Sequence, residues 1–509
     1  MFSRSLGILA LLCGAIASQV PLTPVNASAG GIWSSGTAFS NSEFFTPLET
    51  LSNVKDSEFS ILGHPFFPRY SVRIKKSDFC DPTVNAYSGY IDIQARHLFF
   101  YFFESRNDPD TDDVLFWTNG GTNGCSSSLG LFMELGPCRV LDEDGPKFHS
   151  ESWNTNANIF FIDQPVGVGF SYAEYGETVS TTEEAAQDIA AFVAIFFEHF
   201  TKFKGRGFHM AGESYAGRYL PLFASAVYDQ NRALVDAGMT PINLTSVMIG
   251  NGITDFETMV PAYYDMACTP ASVEPVLDIG TCVAMKNTLP RCKKWMRESC
   301  VDQYDAINCY AAMSFCQSML EAPYFASGNC HYHHHSRTRM ISAVPCNGTV
   351  STTLCYPMTV SISNFLSQPE VRTQLGVDTN AVPANFSSCA RTVGAGFSSA
   401  LDSLHTSKYH VSALLDRGVR VLIYVGSYDW ICNWVGNERW SKALEWSGHE
   451  AFASQELREW TVNGKKAGIT RSAKGFTFAT VEGAGHMVPY DKPKESLMLV
   501  QRWMAGEEL

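Results

Sequence analysis

The stretch HMAGESYAGRYLP, residues 209–221, places Ser214 between an apolar run and a segment with the composition of a helix. The residues GFHMAGES are typical of a buried strand, and YAGRYLPLFASAVYDQN is typical of a helix. Gly212 before the serine and Ala216-Gly217 after it leave room for a tight turn. A strand, a sharp turn and a helix around a serine form a nucleophile elbow, which predicts that Ser214 is a nucleophile. From these residues alone, the alternative is a serine that caps the helix.

The segments on both sides of this stretch alternate between strand and helix patterns. Buried-strand patterns recur in HLFFYFFES, DVLFWTNGG, NANIFFIDQP, LTSVMIGNG, VRVLIYVGS and GFTFATVEG, and TTEEAAQDIAAFVAIFFEHF and KPKESLMLVQRWM have helical apolar spacing. Such alternation predicts an α/β domain with a mostly parallel central sheet and helices on both faces. The alternation stops after Asp255. We therefore expect two parts of one core, 71–255 and 401–509, interrupted by a disulfide-rich cap insertion over 256–400.

The first residues, MFSRSLGILALLCGAIAS, have a basic start, a short apolar run and an Ala-Ile-Ala step. This pattern indicates a secretory signal peptide over residues 1–17. The apolar run is shorter than the ~20 residues that span a bilayer, so we expect no membrane anchor. Residues 18–70 are rich in small polar side chains and are interpreted as a pro-segment or a flexible arm.

Charge, cysteines and glycosylation motifs narrow the class of protein. A formal net charge of −14 argues against nucleic-acid binding. Nine of the 15 cysteines lie between Cys268 and Cys355 without C-x-x-C spacing, which favours disulfides over zinc. We therefore expect passage through the secretory pathway to a vacuole, a lysosome or the extracellular space. Four N-x-S/T sequons agree with this route: Asn26, Asn243, Asn347 and Asn385.

A nucleophilic serine in this fold requires a base and an orienting carboxylate in the chain order Ser, Asp, His. Asp429 follows the strand pattern VRVLIYVGS, and His486 lies in a glycine-flanked loop after GFTFATVEG. Taken singly, an aspartate in a loop is commonly a turn residue and a histidine a surface residue. Because both follow strands in the required order, we predict that His486 accepts the Ser214 proton and Asp429 orients the imidazole.

An oxyanion requires backbone N–H donors that point at it. In this fold one donor belongs to the residue after the nucleophile, here Tyr215, and the other to a glycine loop after an early strand. The stretch FWTNGGTNGC supplies such a loop, and we assign the second donor to Gly121.

Seven stretches resemble the signature blocks of the serine carboxypeptidase family, in family order: WTNGG, CSSSLGLFMELGP, FIDQPVGVGFSY, AGESYAG, IGNG, ICNWVGN and GHMVP. The resemblance extends over about residues 70–509. It implies an α/β-hydrolase fold that needs no cofactor. It also implies removal of C-terminal residues from peptides and proteins at acidic pH, through an acyl-enzyme on Ser214.

The resemblance further implies how the free carboxylate of a substrate is bound. It assigns this role to hydrogen bonds from Trp117, Asn119 and the Gly120 amide, and to Glu134 and Glu213. Acids packed together cannot all ionise, so at least one pKa rises and that carboxyl becomes a donor. The alternative for Glu213 is a solvated acid at the start of a helix.

The same correspondence implies a pocket for the departing residue and a set of disulfides. We expect a preference for hydrophobic C-terminal residues, since the implied pocket is apolar: Met133, Tyr356, Cys432 and Met487. The implied disulfides are Cys125–Cys389, Cys268–Cys282, Cys292–Cys316, Cys300–Cys309 and Cys346–Cys355. Cys80–Cys138 is a possible sixth bridge, which leaves Cys330 unpaired.

The chain departs from the family pattern N-G-G-P-G-C, because Thr122-Asn123 replaces the proline and adds one residue beside Gly121. Three rival functions stay open: an esterase or lipase, an acyltransferase, and a non-catalytic binding protein. An esterase has no use for Glu134 and Glu213 together. The stretch CHYHHHSRTR resembles a metal-binding tract, but its histidines cannot all face one ion, and we expect no metal there: His331, His333, His334 and His335.

Overall fold

The computed structural model describes residues 47–56, 58–64, 67–121, 124–327, 356 and 358–509. The predicted signal peptide, the histidine-rich stretch and several other predicted features lie outside these residues: Asn26, Asn347, Cys330, Cys346 and Cys355. The described strands are β1 (Ser60–Gly63), β2 (Tyr70–Lys76), β3 (Ala86–Ile93), β4 (Arg96–Phe103), β5 (Val114–Thr118), β6 (Cys138–Arg139), β7 (Lys147–Phe148), β8 (Asn158–Ile162), β9 (Tyr172–Ala173), β10 (Gly207–Ser214), β11 (Asn243–Gly252), β12 (Arg420–Gly426), β13 (Arg458–Val462), β14 (Lys465–Ala473) and β15 (Phe476–Val481).

Thirteen strands form one mixed sheet, and β6 pairs with β7 in a separate ribbon. The strands at the centre of the large sheet are parallel, in the order β8-β5-β10-β11-β12-β15. Antiparallel strands β1 to β4 extend one side, and β14 and β13 extend the other. Strand β1, which comes from the segment interpreted as a pro-segment or arm, pairs with β2 at the edge of the sheet. The predicted mostly parallel sheet is confirmed for the six central strands, whereas the outer strands are antiparallel and make the sheet as a whole mixed.

The order of the parallel strands locates a cleft. The chain passes from β5 to β8 on one side and then returns to place β10 on the other side of β5. In open α/β sheets, ligands bind at such a reversal, outside the carboxyl ends of the strands. Strands β5 and β10 end at Thr118 and Ser214, so the loop from Asn119 and the predicted nucleophile meet at this reversal.

The central strands read as nearly continuous apolar runs because both faces of a parallel sheet are covered. Helix α1 begins at a capped turn, where the Thr181 side chain accepts from the Glu184 amide, and it packs against α2. The described helices are α1 (Thr182–His199), α2 (Ala216–Asp236), α3 (Phe256–Cys268), α4 (Ile279–Met296), α5 (Ala306–Leu320), α6 (Ala322–Ala326), α7 (Met358–Leu366), α8 (Pro369–Leu375), α9 (Arg391–Ser399), α10 (Lys408–Asp416), α11 (Trp434–Ala443), α12 (His449–Ala453), α13 (Val488–Asp491) and α14 (Pro493–Ala505).

Helices α3 to α6 surround an apolar cluster of their own, which also contains Trp430. The Trp430 ring stacks on Tyr263 at 4.3 Å and on Tyr324 at 4.1 Å between centroids. Residues of α7 instead pack into the cluster formed with the central sheet, as Ile362 and Leu366 do. The helices α3 to α6, called the cap below, therefore rest directly on the loop that follows β12.

Disulfides join the cap helices and tie the loop after β5 to a distant segment. The described bridges are Cys80–Cys138, Cys125–Cys389, Cys268–Cys282, Cys292–Cys316 and Cys300–Cys309. Cys432 is buried and unbridged. The sequon residues Asn243 and Asn385 are exposed. In the described part of the chain, no helix is both long enough and apolar enough to cross a membrane.

Candidate active site

Ser214 ends β10 in a left-handed backbone conformation, with φ of 63°. A non-glycine residue in this region is strained, and such strain is common where a side chain must be presented at a turn. Small neighbours permit the turn, since a Cβ on Gly212 would lie 2.3 Å from the Thr118 carbonyl oxygen. Helix α2 is preceded by Tyr215, which makes no side-chain capping bond. Ser214 is therefore at an elbow and does not occupy the N-cap position.

His486 and Asp429 meet in the loops after β15 and β12. The Nδ1 atom of His486 lies 2.8 Å from Oδ2 of Asp429, and both side chains are buried. A carboxylate at Nδ1 favours the tautomer whose proton is on Nδ1, which makes Nε2 the basic nitrogen. Asn251 also donates to Asp429 Oδ2, at 2.7 Å.

Asn251 is a site residue that the sequence analysis missed. Besides Asp429, its side chain donates to the Gly485 carbonyl and accepts from the Gly426 amide, both at 3.3 Å. It thereby joins the ends of β11 and β12 to the loop that carries His486. The IGNG stretch could have revealed Asn251, because its polar side chain follows a buried apolar run at the end of a strand.

Cys432 links these residues to the elbow. Its thiol lies beside Ser214, whose hydroxyl acts on the thiol's pKa, and its sulfur lies within 4.8 Å of ligand atoms of Asp429 and His486. Cysteine, histidine and aspartate are also metal ligands. Burial, with Asp429 and Glu213 nearby, raises the pKa of the Cys432 thiol well above its usual value. The Asp429 carboxylate is already held by His486 and Asn251, which gives it protein partners without a metal ion.

The loop after β5 packs directly on the elbow. A Cβ added to Gly120 would lie 2.3 Å from the Tyr215 amide nitrogen and 2.5 Å from the Glu213 carbonyl oxygen. Gly121 has φ of +91°, and its Cβ position is closed by Cys125 Sγ at 2.6 Å. The Cys125–Cys389 bridge therefore supports the loop where the family pattern has a proline. Thr122 and Asn123 lie outside the described residues.

A buried aspartate holds the side chain of Tyr215, whose amide is the other predicted oxyanion donor. The Tyr215 hydroxyl donates to Asp402 at 2.7 Å. Asp402 also accepts from the Thr182 amide at 2.9 Å and from Arg218 at 3.3 Å. Asp402 connects the elbow to the N-terminus of α1, and no motif in its neighbourhood revealed this role.

The residues assigned to carboxylate binding form one hydrogen-bonded group at the ends of β5 and β10. Trp117 Nε1 donates to Asn119 Oδ1 at 2.9 Å. Asn119 Nδ2 donates to Glu213 at 2.9 Å and to Glu134 at 3.2 Å. The Glu134 side chain is completely buried and that of Glu213 is 3% exposed, which excludes a solvated Glu213.

The two glutamates share a proton-dependent contact. Their carboxyl groups are hydrogen-bonded to each other, which requires a proton on one of them. Burial raises the pKa of both, and the neighbouring Glu134 carboxylate together with Asp429 raises that of Glu213 further. The proton belongs to the pair and is assigned to neither carboxyl alone. The pair titrates as a unit.

The sequence comparison now identifies the family. A family model for serine carboxypeptidases matches residues 77–506. The chain belongs to the serine carboxypeptidase family. Carboxypeptidase Y homolog A of Talaromyces stipitatus is 42% identical over 434 residues, covering 84% of this chain and 74% of that protein. Carboxypeptidase Y of Candida albicans is 40% identical over 444 residues, covering 86% and 77%.

A solved structure supports the same fold. The crystal structure of Kex1(Δ)p, a prohormone-processing carboxypeptidase of Saccharomyces cerevisiae, aligns with a TM-score of 0.67 at 24% identity. The alignment covers 84% of this chain and 93% of that chain. The predicted α/β-hydrolase fold and the family are confirmed, and the protein is a serine carboxypeptidase.

The apolar side chains assigned to the pocket of this serine carboxypeptidase are all buried: Met133, Tyr356, Cys432 and Met487. Three of them belong to the cluster formed with the central sheet, while Cys432 adjoins Ser214. The Tyr356 hydroxyl accepts from the Met487 amide at 3.3 Å. Glu213 and Glu134 both act electrostatically on Tyr356, so Tyr356 adjoins the glutamate pair.

Replacing Gly120 by alanine in this serine carboxypeptidase should lower kcat/KM for peptides by at least about 100-fold. The added methyl would displace the Tyr215 amide or the Glu213 carbonyl, and a shift of about 1 Å in such groups costs that much. Gly63→Ala is the matched control, since a Cβ there meets no atom within 4 Å. Circular dichroism checks that both variants fold. Equal kcat/KM for the two variants would refute the close packing.

Proposed function

We propose that this serine carboxypeptidase releases C-terminal residues through an acyl-enzyme on Ser214, with His486 as base and Asp429 as its orienting carboxylate. The observation that carries the proposal is the buried Glu134–Glu213 pair, held by Asn119 at the elbow. An exopeptidase must recognise a free terminal carboxylate, and a proton-sharing acid pair beside the nucleophile supplies that recognition at one end of the cleft.

The proposed reaction takes place at the elbow and uses the Asp429–His486 pair. His486 Nε2 takes the Ser214 proton as Oγ attacks the carbonyl carbon of the last peptide bond. The carbonyl oxygen becomes an oxyanion facing the Gly121 and Tyr215 amides. When the C–N bond breaks, His486 returns the proton to the departing amine, leaving an ester on Ser214. Water then attacks the ester while giving a proton to His486, and His486 passes that proton to Ser214 Oγ as the ester bond breaks and the shortened peptide leaves as an acid.

Substrate preference follows from the terminal-carboxylate site. Trp117, Asn119 and the Gly120 amide, with the protonated glutamate pair, would bind the terminal anion. Protonation of the pair favours binding at acidic pH, because two ionised carboxylates would repel the substrate. Apolar surroundings of the departing side chain favour hydrophobic C-terminal residues. The pocket residues would be Met133, Tyr356, Cys432 and Met487.

The organisation of the precursor is part of the proposal. Residues 1–17 would direct the chain into the secretory pathway, and residues 18–70 would contain a pro-segment. Residues 256–400 would form an insertion between two parts of the core. The enzyme would be vacuolar or extracellular and would carry sugars on Asn243 and Asn385, which are exposed. The disulfides support this location, because disulfides form in oxidising compartments.

An acyl-enzyme can be tested by partitioning. N-blocked dipeptides are incubated at pH 5 with and without an added amino acid amide as a competing nucleophile. The free C-terminal amino acid should form at a rate independent of the amide, while part of the blocked residue appears as a new amide product, provided that acylation limits the rate. Product ratios should be the same for different departing residues, because all pass through one ester. Ratios that vary with the departing residue would exclude a common acyl-enzyme.

A further inference from the structure

A tyrosine in the central sheet lies beside the glutamate pair and has no role in the arrangement above. In the parallel strands β10, β11 and β12, Glu213 pairs with Gly250, and Gly250 pairs with Tyr424. Residues paired in this way project from the same face of a sheet, whose neighbouring strands lie about 4.8 Å apart. The Tyr424 side chain is therefore on the same face as Glu213, two strands away.

Gly250 leaves the space in which the Tyr424 ring extends toward Glu213. A Cβ added to Gly250 would overlap the Tyr424 hydroxyl oxygen and the ring carbon that bears it. The hydroxyl thus lies over β11, the strand directly next to the one that carries Glu213. The ring is buried and packs against Trp153, with 6.4 Å between the centroids.

The Tyr424 hydroxyl can donate a hydrogen bond that the described residues do not accept. Among those residues, this buried hydroxyl has no hydrogen-bond partner. Glu134 Oε2 is also buried and, the proton shared with Glu213 aside, accepts from none of them. A carboxyl oxygen has two lone pairs, so it can accept a second hydrogen bond. Buried polar groups of this kind are commonly bridged by a buried water molecule.

The hydroxyl remains a donor over the whole pH range of peptide binding. Burial, Glu213 and Glu134 raise the pKa of the Tyr424 phenol well above its usual value. Other charged or titratable groups also face the glutamate pair: Arg139 of β6, Asp429 and His486 of the loops after β12 and β15, Tyr356, and Asp491 of α13. Tyr424 differs from the charged groups, because a neutral hydroxyl acts on the pair only through its dipole and the hydrogen bond that it offers.

We propose that Tyr424 is a positioning residue, whose hydroxyl donates through one buried water molecule to the Glu134–Glu213 pair and limits peptide binding to more acidic pH. This rests on the proposed function, in which the pair must hold a proton to bind the terminal carboxylate. A hydrogen bond donated to a carboxyl favours its ionised form, so the pair releases its proton at a lower pH than burial alone would set. Binding is present below that pH and is lost as the pH rises through it.

The test is Tyr424→Phe, which removes the hydroxyl and keeps the ring. KM and kcat for an N-blocked dipeptide are measured from pH 4.5 to 8. The pH at which KM rises should move upward by about one unit, because the pair loses a donor to its ionised form. Above the wild-type transition, the variant should therefore bind up to about tenfold more tightly than the wild type. A merely structural defect would not strengthen binding at one end of the pH range.

Tyr101→Phe is the matched control, because it makes the same chemical change in the same apolar cluster. The Tyr101 hydroxyl is likewise buried and, in the described part of the chain, without a hydrogen-bond partner. The acid that acts on it is Asp163 instead of the glutamate pair. Its KM profile should coincide with that of the wild type, and kcat at pH 4.5 reports folding of both variants.

An unchanged or downward-shifted KM profile in Tyr424→Phe, or an equal shift in Tyr101→Phe, would overturn the role of Tyr424. A wild-type crystal structure with no water molecule between the Tyr424 hydroxyl and the pair would also overturn it, and this measurement needs no variant. A wild-type KM that is independent of pH would instead contradict the proposed carboxylate recognition. The failure of the two proposals is thereby distinguished.

Discussion

Replacing Ser214 by alanine should lower kcat/KM for N-blocked dipeptides by about 10⁴- to 10⁶-fold. The hydroxyl is the proposed attacking group, and without it the remaining donors of the oxyanion loop and the binding site give only residual acceleration. Substrate affinity should change little, because the Asn119–Glu134–Glu213 group is intact. Amino-acid analysis of timed samples measures the rate, and equilibrium dialysis measures binding.

The double variant distinguishes a catalytic unit from independent contributions. His486→Ala should cost about as much as Ser214→Ala, and the two changes together should cost little more than either one. Residues that act in one chemical step are strongly non-additive. Full additivity of the two losses, or more than about 1% residual activity in Ser214→Ala, would place the nucleophile elsewhere.

The KM for peptides with a free C-terminus should rise about tenfold for each pH unit above the raised pKa of the glutamate pair. Burial raises the pKa of Glu134 and of Glu213, and the Glu134 carboxylate raises that of Glu213 further, so the pair keeps a proton at acidic pH. Loss of that proton removes a donor to the terminal carboxylate and adds a negative charge facing it. Binding is therefore strongest below the raised pKa and is lost as the pH increases through it.

Initial rates from pH 4.5 to 8 measure this dependence, with KM and kcat separated at each pH. In Glu213→Gln the glutamine keeps an N–H donor and only Glu134 of the pair can still ionise, so KM should rise less with pH than in the wild type. Peptides ending in an amide have no anion and should bind poorly to the wild type at low pH. A flat KM for wild type across this range, or undiminished turnover of amides, would contradict the proposed carboxylate recognition.

The structural features that could be predicted from the sequence are those that depend on residues close together in the chain. Strand and helix patterns around Ser214 depend on neighbouring residues. Gly120 and Gly212 stand where a Cβ would lie within 2.5 Å of backbone atoms, so these positions have no room for a side chain. The chain order of Ser214, Asp429 and His486 then suggested a triad, and the structure brings Asp429 and His486 within hydrogen-bonding distance. The alternative interpretation of Glu213, a solvated acid at the start of a helix, was wrong because the burial of this side chain depends on the packing of β5 against β10.

Amino-acid order alone determined the turn at Ser214, the alternation of strands and helices, and the membership of a family, because backbone space and apolar periodicity act over a few residues. Only the tertiary structure placed Asn251 and Asp402 around the elbow. Asp402 lies 187 positions from Tyr215 in the chain, and it accepts a hydrogen bond from the Tyr215 hydroxyl. No local pattern records such a contact, since a polar side chain acquires its partner, its burial and its pKa only when distant segments pack around it.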